Sequence, residues 1–377
     1  MMIGHISDTH LGAFIGRDEE LREVSEDVHA SFLEAIEVFV REHVEVVIHS
    51  GDILDEPRPY GDAMRALLEG AKRLKEGGIP LLFTLGEHDI SSIPSTPHPY
   101  VVELAGLAEY VGDGRTHEVK GLTVIGLHKH KLVEAGTLRE KLDEISRRIR
   151  GLDGKKVLVL HQGIREAFGP GSELSISEVP HGFDYYAMGH IHRRYEVRHG
   201  RGLLAYPGPS HWVEADDPDE CGVLLVDLSG DEPEAQWVRL ESVRPKVRVS
   251  VKAQELEEVL RKLAEAEHRK KPVLWMEVEG DVDQMMIRRR LEGRYLIRRL
   301  SVKQDRGKAA ELRQERELSV EDRLRELALE QVKDEGVVDF VLGDLLRLLS
   351  SGSEKEAEQA LYDFWRKRYG ITWGEGA

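Results

Sequence analysis

Ile3-Gly4-His5-Ile6-Ser7-Asp8-Thr9-His10-Leu11-Gly12 is a short apolar run that stops in Asp-x-His followed by glycine. A buried strand ends this way when it delivers polar side chains to the rim of a sheet. On extended chain Asp8 and His10, two apart, point to one side. A carboxylate beside an imidazole suits a divalent metal. Alone, the tripeptide reads equally well as a hydrogen-bonded histidine at a strand end. Its meaning therefore rests on whether later strands end alike.

They do. Val24, Val28, Phe32, Ile36, Phe39 and Val40 recur at helical spacing and predict a helix through Glu42. A strand over Val44–His49 then ends in Ser50-Gly51-Asp52, with His49 itself read as a satisfied core residue. A helix over 60–76 carries Met64, Leu67, Leu68, Ala71 and Leu74 on one side, and the strand Ile79–Leu85 ends in Gly86-Glu87-His88-Asp89. A short helix around Tyr100–Ala108 precedes the strand Leu122–Leu127, which runs into His128-Lys129-His130; the flanking lysines disfavour a cation there. After a helix through Arg150, Lys156–Leu160 runs into His161-Gln162-Gly163, and Phe183–Met188 into Gly189-His190-Ile191-His192. Two imidazoles two apart on extended chain form a ready chelate, so this last motif is the most telling. Further strands at Leu203–Tyr206, Val223–Asp227 and Ala235–Leu240 make the second half β-rich. The pattern predicts a two-sheet α/β sandwich whose ligands gather at the carboxyl ends of the strands.

The chain has 377 residues, 40% hydrophobic and 33% charged, enough for two or three domains. No apolar run approaches the ~18 residues of a membrane span, and the N-terminus has no secretory pattern. Cys221 is the only cysteine, which excludes an internal disulfide and a multi-cysteine zinc site. The expected location is the cytoplasm. Asparagine is absent altogether. That fits selection against heat-labile side chains in a thermophile, although genomic base composition would give the same result.

The net charge of −17 is unevenly spread. Residues 1–243 hold 25 Lys+Arg against 43 Asp+Glu, 244–300 hold 15 against 10, and 301–377 hold 13 against 17. Only the middle segment is basic, and a polyanion would prefer it. Its elements are Lys246–Val251, Ala253–Glu267, Val273–Val278, a helical turn into Arg288-Arg289-Arg290, and Tyr295–Val302, a small α+β unit. The arginine run is either a solvated helix face or a phosphate contact. Residues 301–318 read as a charged linker, and Ser319-Val320-Glu321-Asp322 as a capping box. Gly336 then separates a helix from a second one carrying Val337, Val341, Leu345 and Leu348, and a last helix carries Ala357, Leu361, Phe364 and Trp365. The middle helix has more apolar circumference than one neighbour can cover, so it joins a mini-core or docks on another protein.

Asp8, His10, Asp52, Glu87, His161, His190 and His192, with His88 beside them, are too many ligating groups for one zinc. They suit two octahedral ions sharing a carboxylate, an arrangement that hydrolyses phosphate esters. Asp-x-His, Gly-Asp, Gly-x-His-Asp, His-Gln-Gly and Gly-His-x-His, in this order, resemble the metallophosphoesterase superfamily. With Tyr206-Pro207-Gly208-Pro209-Ser210, residues 1–243 resemble the archaeal SbcD/Mre-type nucleases of DNA double-strand-break repair.

The resemblance implies an α/β/β/α sandwich over 1–243, a DNA-capping domain over 244–300, the linker over 301–318 and a helical ATPase-binding segment over 319–377. It further implies a 3′→5′ exonuclease on duplex DNA and an endonuclease on single strands. The implied cofactors are two Mn²⁺ per subunit, for which Mg²⁺ could substitute. One ion would be held by Asp8, His10, Asp52 and His192. The other would be held by Asp52, Glu87, His161 and His190, with His88 facing the scissile phosphate. DNA, a second copy of the chain (through the helices near Met64 and Val101) and an SMC-like coiled-coil ABC ATPase of the SbcC/Rad type are the implied partners. Arg288, Arg289 and Arg290 would touch DNA, and Val337, Val341, Leu345 and Leu348 the ATPase. Glu87 stands where the family pattern has asparagine. Two rival readings are a phosphatase on small phosphoesters or phosphoproteins and an inactive scaffold. The first expects an arginine after Gly-Asp, where Ile53-Leu54-Asp55-Glu56 stands; the second expects eroded ligands, and only Glu87 departs.

Overall fold

The computed structural model describes residues 1–15, 21–303, 324, 325, 327–329, 332–346, 348 and 354–369. The capping-box tetrapeptide, Leu349 and all of the linker beyond Lys303 lie outside them. The chain divides into two compact units, Met1–Lys303 and Gln304–Ala377.

In chain order the first unit has β1 (Met2–Ile6), α1 (Arg22–Arg41), β2 (Val46–His49), α2 (Gly61–Glu76), β3 (Leu81–Phe83), α3 (Tyr100–Leu104) and β4 (Glu109–Tyr110). There follow β5 (Asp113–Val119), β6 (Leu122–Leu127), α4 (Ala135–Arg148), β7 (Lys155–His161), α5 (Arg165–Phe168) and β8 (Tyr185–Gly189). β9 (Tyr195–His199), β10 (Gly202–Tyr206), β11 (Gly222–Asp227) and β12 (Glu234–Arg239) complete the sandwich. One sheet has the order β12-β11-β1-β2-β3-β4 and the other β5-β6-β7-β8-β10-β9. β1 to β4 run parallel, as do β6, β7, β8 and β10, so their carboxyl ends share a rim.

Strand alternation builds the layers. Val46, Ile48 and Leu82 face Val157, Val159, Tyr185 and Ala187 of the second sheet. Val47, Leu81 and Phe83 face the other way, onto Phe32, Ile36 and Phe39 of α1 and Leu67 and Leu74 of α2. Leu158 and Leu160 likewise meet Leu138, Leu142 and Ile145 of α4. The predicted α/β/β/α sandwich is the observed fold. Phe39 lies directly on the backbone of β1, where a Cβ on Gly4 would come within 2.5 Å of its ring.

Sequence reading missed β4, β5 and β9. These are edge strands, rich in charge and only partly buried, so they lack the alternation that marks the inner ones. The helix expected through Ala108 stops at Leu104, before Gly106 at φ +68° and the short strand β4.

Residues 246–303 form three parallel strands, β13 (Lys246–Lys252), β14 (Val273–Glu279) and β15 (Leu296–Lys303), connected by α6 (Leu256–Glu265) and α7 (Gln284–Leu291). Their own core contains Leu256, Leu260, Leu274, Met276, Ile287 and Leu291. Arg244, buried at the join, is paired with Asp27 of α1, and Asp27 also accepts from Lys270 at 2.7 Å.

In the second unit α8 (Glu335–Asp339) continues as a π-helical turn, Phe340–Leu345, and α9 spans Glu354–Tyr369. Gly336, expected to separate two helices, lies in the first turn of α8. The stop comes earlier, at Lys333 (φ +53°) and Asp334, whose side chain accepts from the Val337 N–H at 3.2 Å. Phe340 stacks on Phe364 at 4.1 Å, while Val337, Val341, Leu345 and Leu348 are half-buried. Among the described residues no helix is long and apolar enough to cross a membrane.

Candidate metal centre

Five strand ends deliver the site. β1 is followed by Asp8 and His10, β2 by Asp52, β3 by Glu87 and His88; β7 ends on His161, and β8 precedes His190 and His192. Extended chain is not what aims these groups. Asp8, His10, Asp52 and His190 have φ of 51°, 43°, 51° and 93°, a region ordinary side chains rarely occupy. The expectation that Asp8 and His10 point together by strand alternation is thus corrected: β1 has already ended, and a left-handed turn brings them together. His190 and His192 do not chelate together either. The kink at His190 sends the two rings to different groups.

One group is Asp8, His10 and His192, and another is Glu87, His161 and His190. Asp52 lies between them: its Oδ2 is 3.2 Å from His161 Nε2 and 4.0 Å from His10 Nε2, while Oδ1 accepts the His88 N–H at 2.9 Å. Glycines permit this crowding. A Cβ on Gly86 would collide with the Asp52 carboxylate, and one on Gly189 with the Ser50 carbonyl.

The tautomers follow from the hydrogen bonds. His161 Nδ1 sits 2.7 Å from the Ser50 carbonyl, so it carries a proton and Nε2 is the nitrogen turned toward the carboxylates. Nε2 faces Glu87 Oε2 at 3.0 Å and Asp52 Oδ2 at 3.2 Å. His192 Nδ1 bonds Asp217 Oδ1 at 2.8 Å, leaving Nε2 aimed at His10 Nε2, 3.1 Å away. His10 Nδ1, Glu87 Oε2 and His161 Nε2 are buried without a hydrogen-bond partner. Electron pairs that converge at such distances need a cation between them, either a proton or a metal ion. Four imidazoles and three carboxylates in two clusters fit two divalent ions.

The charges tell the same story. Burial alone would depress the pKa of His192, yet the Asp217 hydrogen bond and the charges of Asp8 and Asp217 raise it to about 9. Burial is likewise outweighed at His161, which Asp52 and Glu87 raise well above the ordinary value. His10, also buried, is lowered to about 3 and is neutral. Burial raises Asp8, whereas His161 overcomes burial at Asp52 and Glu87 and holds both well below the usual carboxylate range. His88 is raised, because Asp52 and Asp55 outweigh its burial.

All seven ligating residues read from the sequence, and His88, come together on this rim. His128 and His130 do not join them. His128 Nδ1 meets the Tyr110 hydroxyl at 2.8 Å and His130 Nε2 lies 3.0 Å from Lys141 Nζ. Arg288, Arg289 and Arg290 are exposed on the last turn of α7, and Arg290 pairs with Glu257 at 2.8 Å. Sequence reading passed over four supporting acids. Asp55 groups with His10 and His88. Buried Asp89 accepts from the N–H groups of Ile53, Leu54 and Gly86 and ties two site loops together. Glu173 accepts from Lys129 at 2.8 Å and from the Gly163 N–H. Asp217 fixes His192. Asp89 sits inside Gly-x-His-Asp and could have been found; Asp217, in a polar loop 25 residues beyond His192, carries no local signal.

The family model for calcineurin-like phosphoesterases matches residues 1–194, just over half of the chain. DNA double-strand break repair protein Mre11 of Sulfolobus acidocaldarius is 30% identical over 298 residues, 75% of this chain and 76% of its own length. The Mre11 protein of Sulfurisphaera tokodaii is 31% identical over 73% of each chain, and that of Saccharolobus solfataricus 30% identical over 74% of this chain and 76% of its own. With five strand ends converging on two ligand clusters and relatives alike over three quarters of its length, the chain belongs to the calcineurin-like phosphoesterases and, within them, to the archaeal Mre11-type DNA repair nucleases.

Proposed function

We propose that the protein is a manganese-dependent nuclease of DNA double-strand break repair, acting 3′→5′ on duplex ends and endonucleolytically on single strands. The observation that carries this reading is the placing of one carboxylate oxygen, Asp52 Oδ2, between two imidazole-bearing clusters. Asp8, His10, Asp52 and His192 would hold one ion, and Asp52, Glu87, His161 and His190 the other. When bound, such a pair acidifies a water and neutralises the oxygens of a phosphodiester. Four imidazoles are nitrogen-rich for magnesium, which prefers oxygen, so manganese is the better fit.

His88 has its Nδ1–H on the Asp55 carbonyl at 2.7 Å and its ring 4.8 Å from that of His10. Raised in pKa, it would carry a proton to the phosphate or the leaving oxygen. The acids after Gly51-Asp52 disfavour the dianion of a phosphate monoester, which argues against a phosphatase. The module over 244–300 would cap the DNA, with Arg288 and Arg289 on phosphates. Val337, Val341, Leu345 and Leu348 would dock on a coiled-coil ABC ATPase of the SMC type. Exposed Tyr60, Val101 and Leu104 would form the homodimer face.

The test is labelled duplex and hairpin DNA with Mn²⁺ or Mg²⁺. Wild type should shorten the duplex in Mn²⁺, and His88→Ala should lose ~10²–10⁴-fold in rate while still binding metal. DNA left intact while p-nitrophenyl phosphate is hydrolysed would replace the nuclease with a phosphatase.

A further inference from the structure

Lys246 opens β13, the first strand of the small module, yet its side chain is only 1% exposed. An ammonium has three N–H donors and no acceptor. Here all three are spent on the loop between β10 and β11: Nζ donates to the carbonyls of Glu214 (3.4 Å), Ala215 (3.2 Å) and Asp217. Nζ also lies 5.5 Å from the Trp212 ring, which is fully buried and packs edge-on against Trp275 of β14. Burying a lysine costs free energy that an apolar side chain at this place would not. What the lysine adds is a grip on one loop from a different module.

That loop holds Asp217, the acid bonded to His192 Nδ1. Asp217 is buried, and its two oxygens are divided. Oδ2 accepts from the backbone N–H groups of Val213 (2.7 Å) and Glu214 (2.8 Å), which fixes the carboxylate to the loop. Oδ1 accepts from His192 Nδ1 at 2.8 Å, which sets the ring's tautomer and turns Nε2 toward His10 and Asp8. The contacts run without a break from Lys246 through three carbonyls and Asp217 to His192.

We propose that Asp217 and Lys246 are positioning residues through which the small three-stranded module sets the orientation of His192, and with it the affinity of the ion held by Asp8, His10 and His192. The coupling is reciprocal: whatever moves β13 changes metal affinity, and metal binding changes the hold on β13. The inference rests on the two-ion reading above.

The experiment is a Mn²⁺ titration of the full chain by calorimetry, without DNA, with melting of each metal-free variant alongside. Asp217→Asn should weaken one of the two ions ~10–100-fold and leave the other unchanged. Lys246→Met should weaken the same ion, and the double variant should bind it no worse than Asp217→Asn alone, as members of one relay must. In a Glu87→Ala background, which removes the other cluster's carboxylate, the same losses should be read on the remaining ion. If Lys246→Met does not fold, Lys246→Gln retains a donor and should show a smaller loss at that ion. Wild-type affinities in both variants would overturn the proposal while leaving the two-ion reading intact. So would equal losses at both ions, or a double variant whose loss is the sum of the two. A wild type that takes up no Mn²⁺ at His192 would overturn both.

Discussion

His192 shows how much a single side chain can carry. With Nδ1 committed to Asp217 and its pKa raised to about 9, its ring holds a second proton at neutral pH, on the nitrogen that faces His10 and Asp8. A metal ion must displace that proton. Below pH 9 each unit of acidity therefore costs about tenfold in affinity per proton released, and above pH 9 this penalty disappears. Manganese binding should thus tighten from pH 7 to pH 9 with release of a proton, measurable by calorimetry in buffers of different ionisation enthalpy. Affinity independent of pH over that window would contradict the assignment of His192. The candidate ligands were legible in the sequence because aspartate and histidine at the end of an apolar run stand out when the pattern repeats five times. Their backbone was not legible. Left-handed φ at Asp8, His10, Asp52 and His190 is imposed by the loops they share, and nothing in the local residue types announces it.

At the scale of elements, inner strands such as β7 declared themselves by unbroken burial, and edge strands such as β5 and β9 did not, because a charged edge looks like a loop. The same ambiguity attends α7. Three arginines in a last helical turn complement the helix dipole wherever that helix points, so their presence alone does not require DNA. Arg290 is already engaged by Glu257, which leaves Arg288 and Arg289 to meet phosphate. Reversing all three to glutamate should weaken DNA binding and lower the slope of log affinity against log salt by ~0.9 for each phosphate no longer neutralised. An unchanged slope in a filter-binding or anisotropy titration would make the run a solvated face.

For the whole molecule, a net charge of −17 opposes a polyanionic substrate unless the working surface is locally neutralised. On the proposed function, the basic stretch over 244–300 would supply one part of that, and ions among Asp8, Asp52 and Glu87 the other. Glu87 is the decisive residue, since a carboxylate where the resemblance implies an amide brings a third acid, beside Asp8 and Asp52, to the site. Its oxygens already reach His161 and His190 at 3.0 and 2.8 Å, which is where a ligand belongs. The measurement that bears most directly on the two-ion centre is anomalous X-ray scattering at the manganese edge from crystals grown with Mn²⁺. Wild type should show two peaks flanking Asp52, and Glu87→Ala only the one beside Asp8, His10 and His192. A single peak in wild type, with a second restored in Glu87→Asn, would contradict it and make Glu87 a lesion in the site.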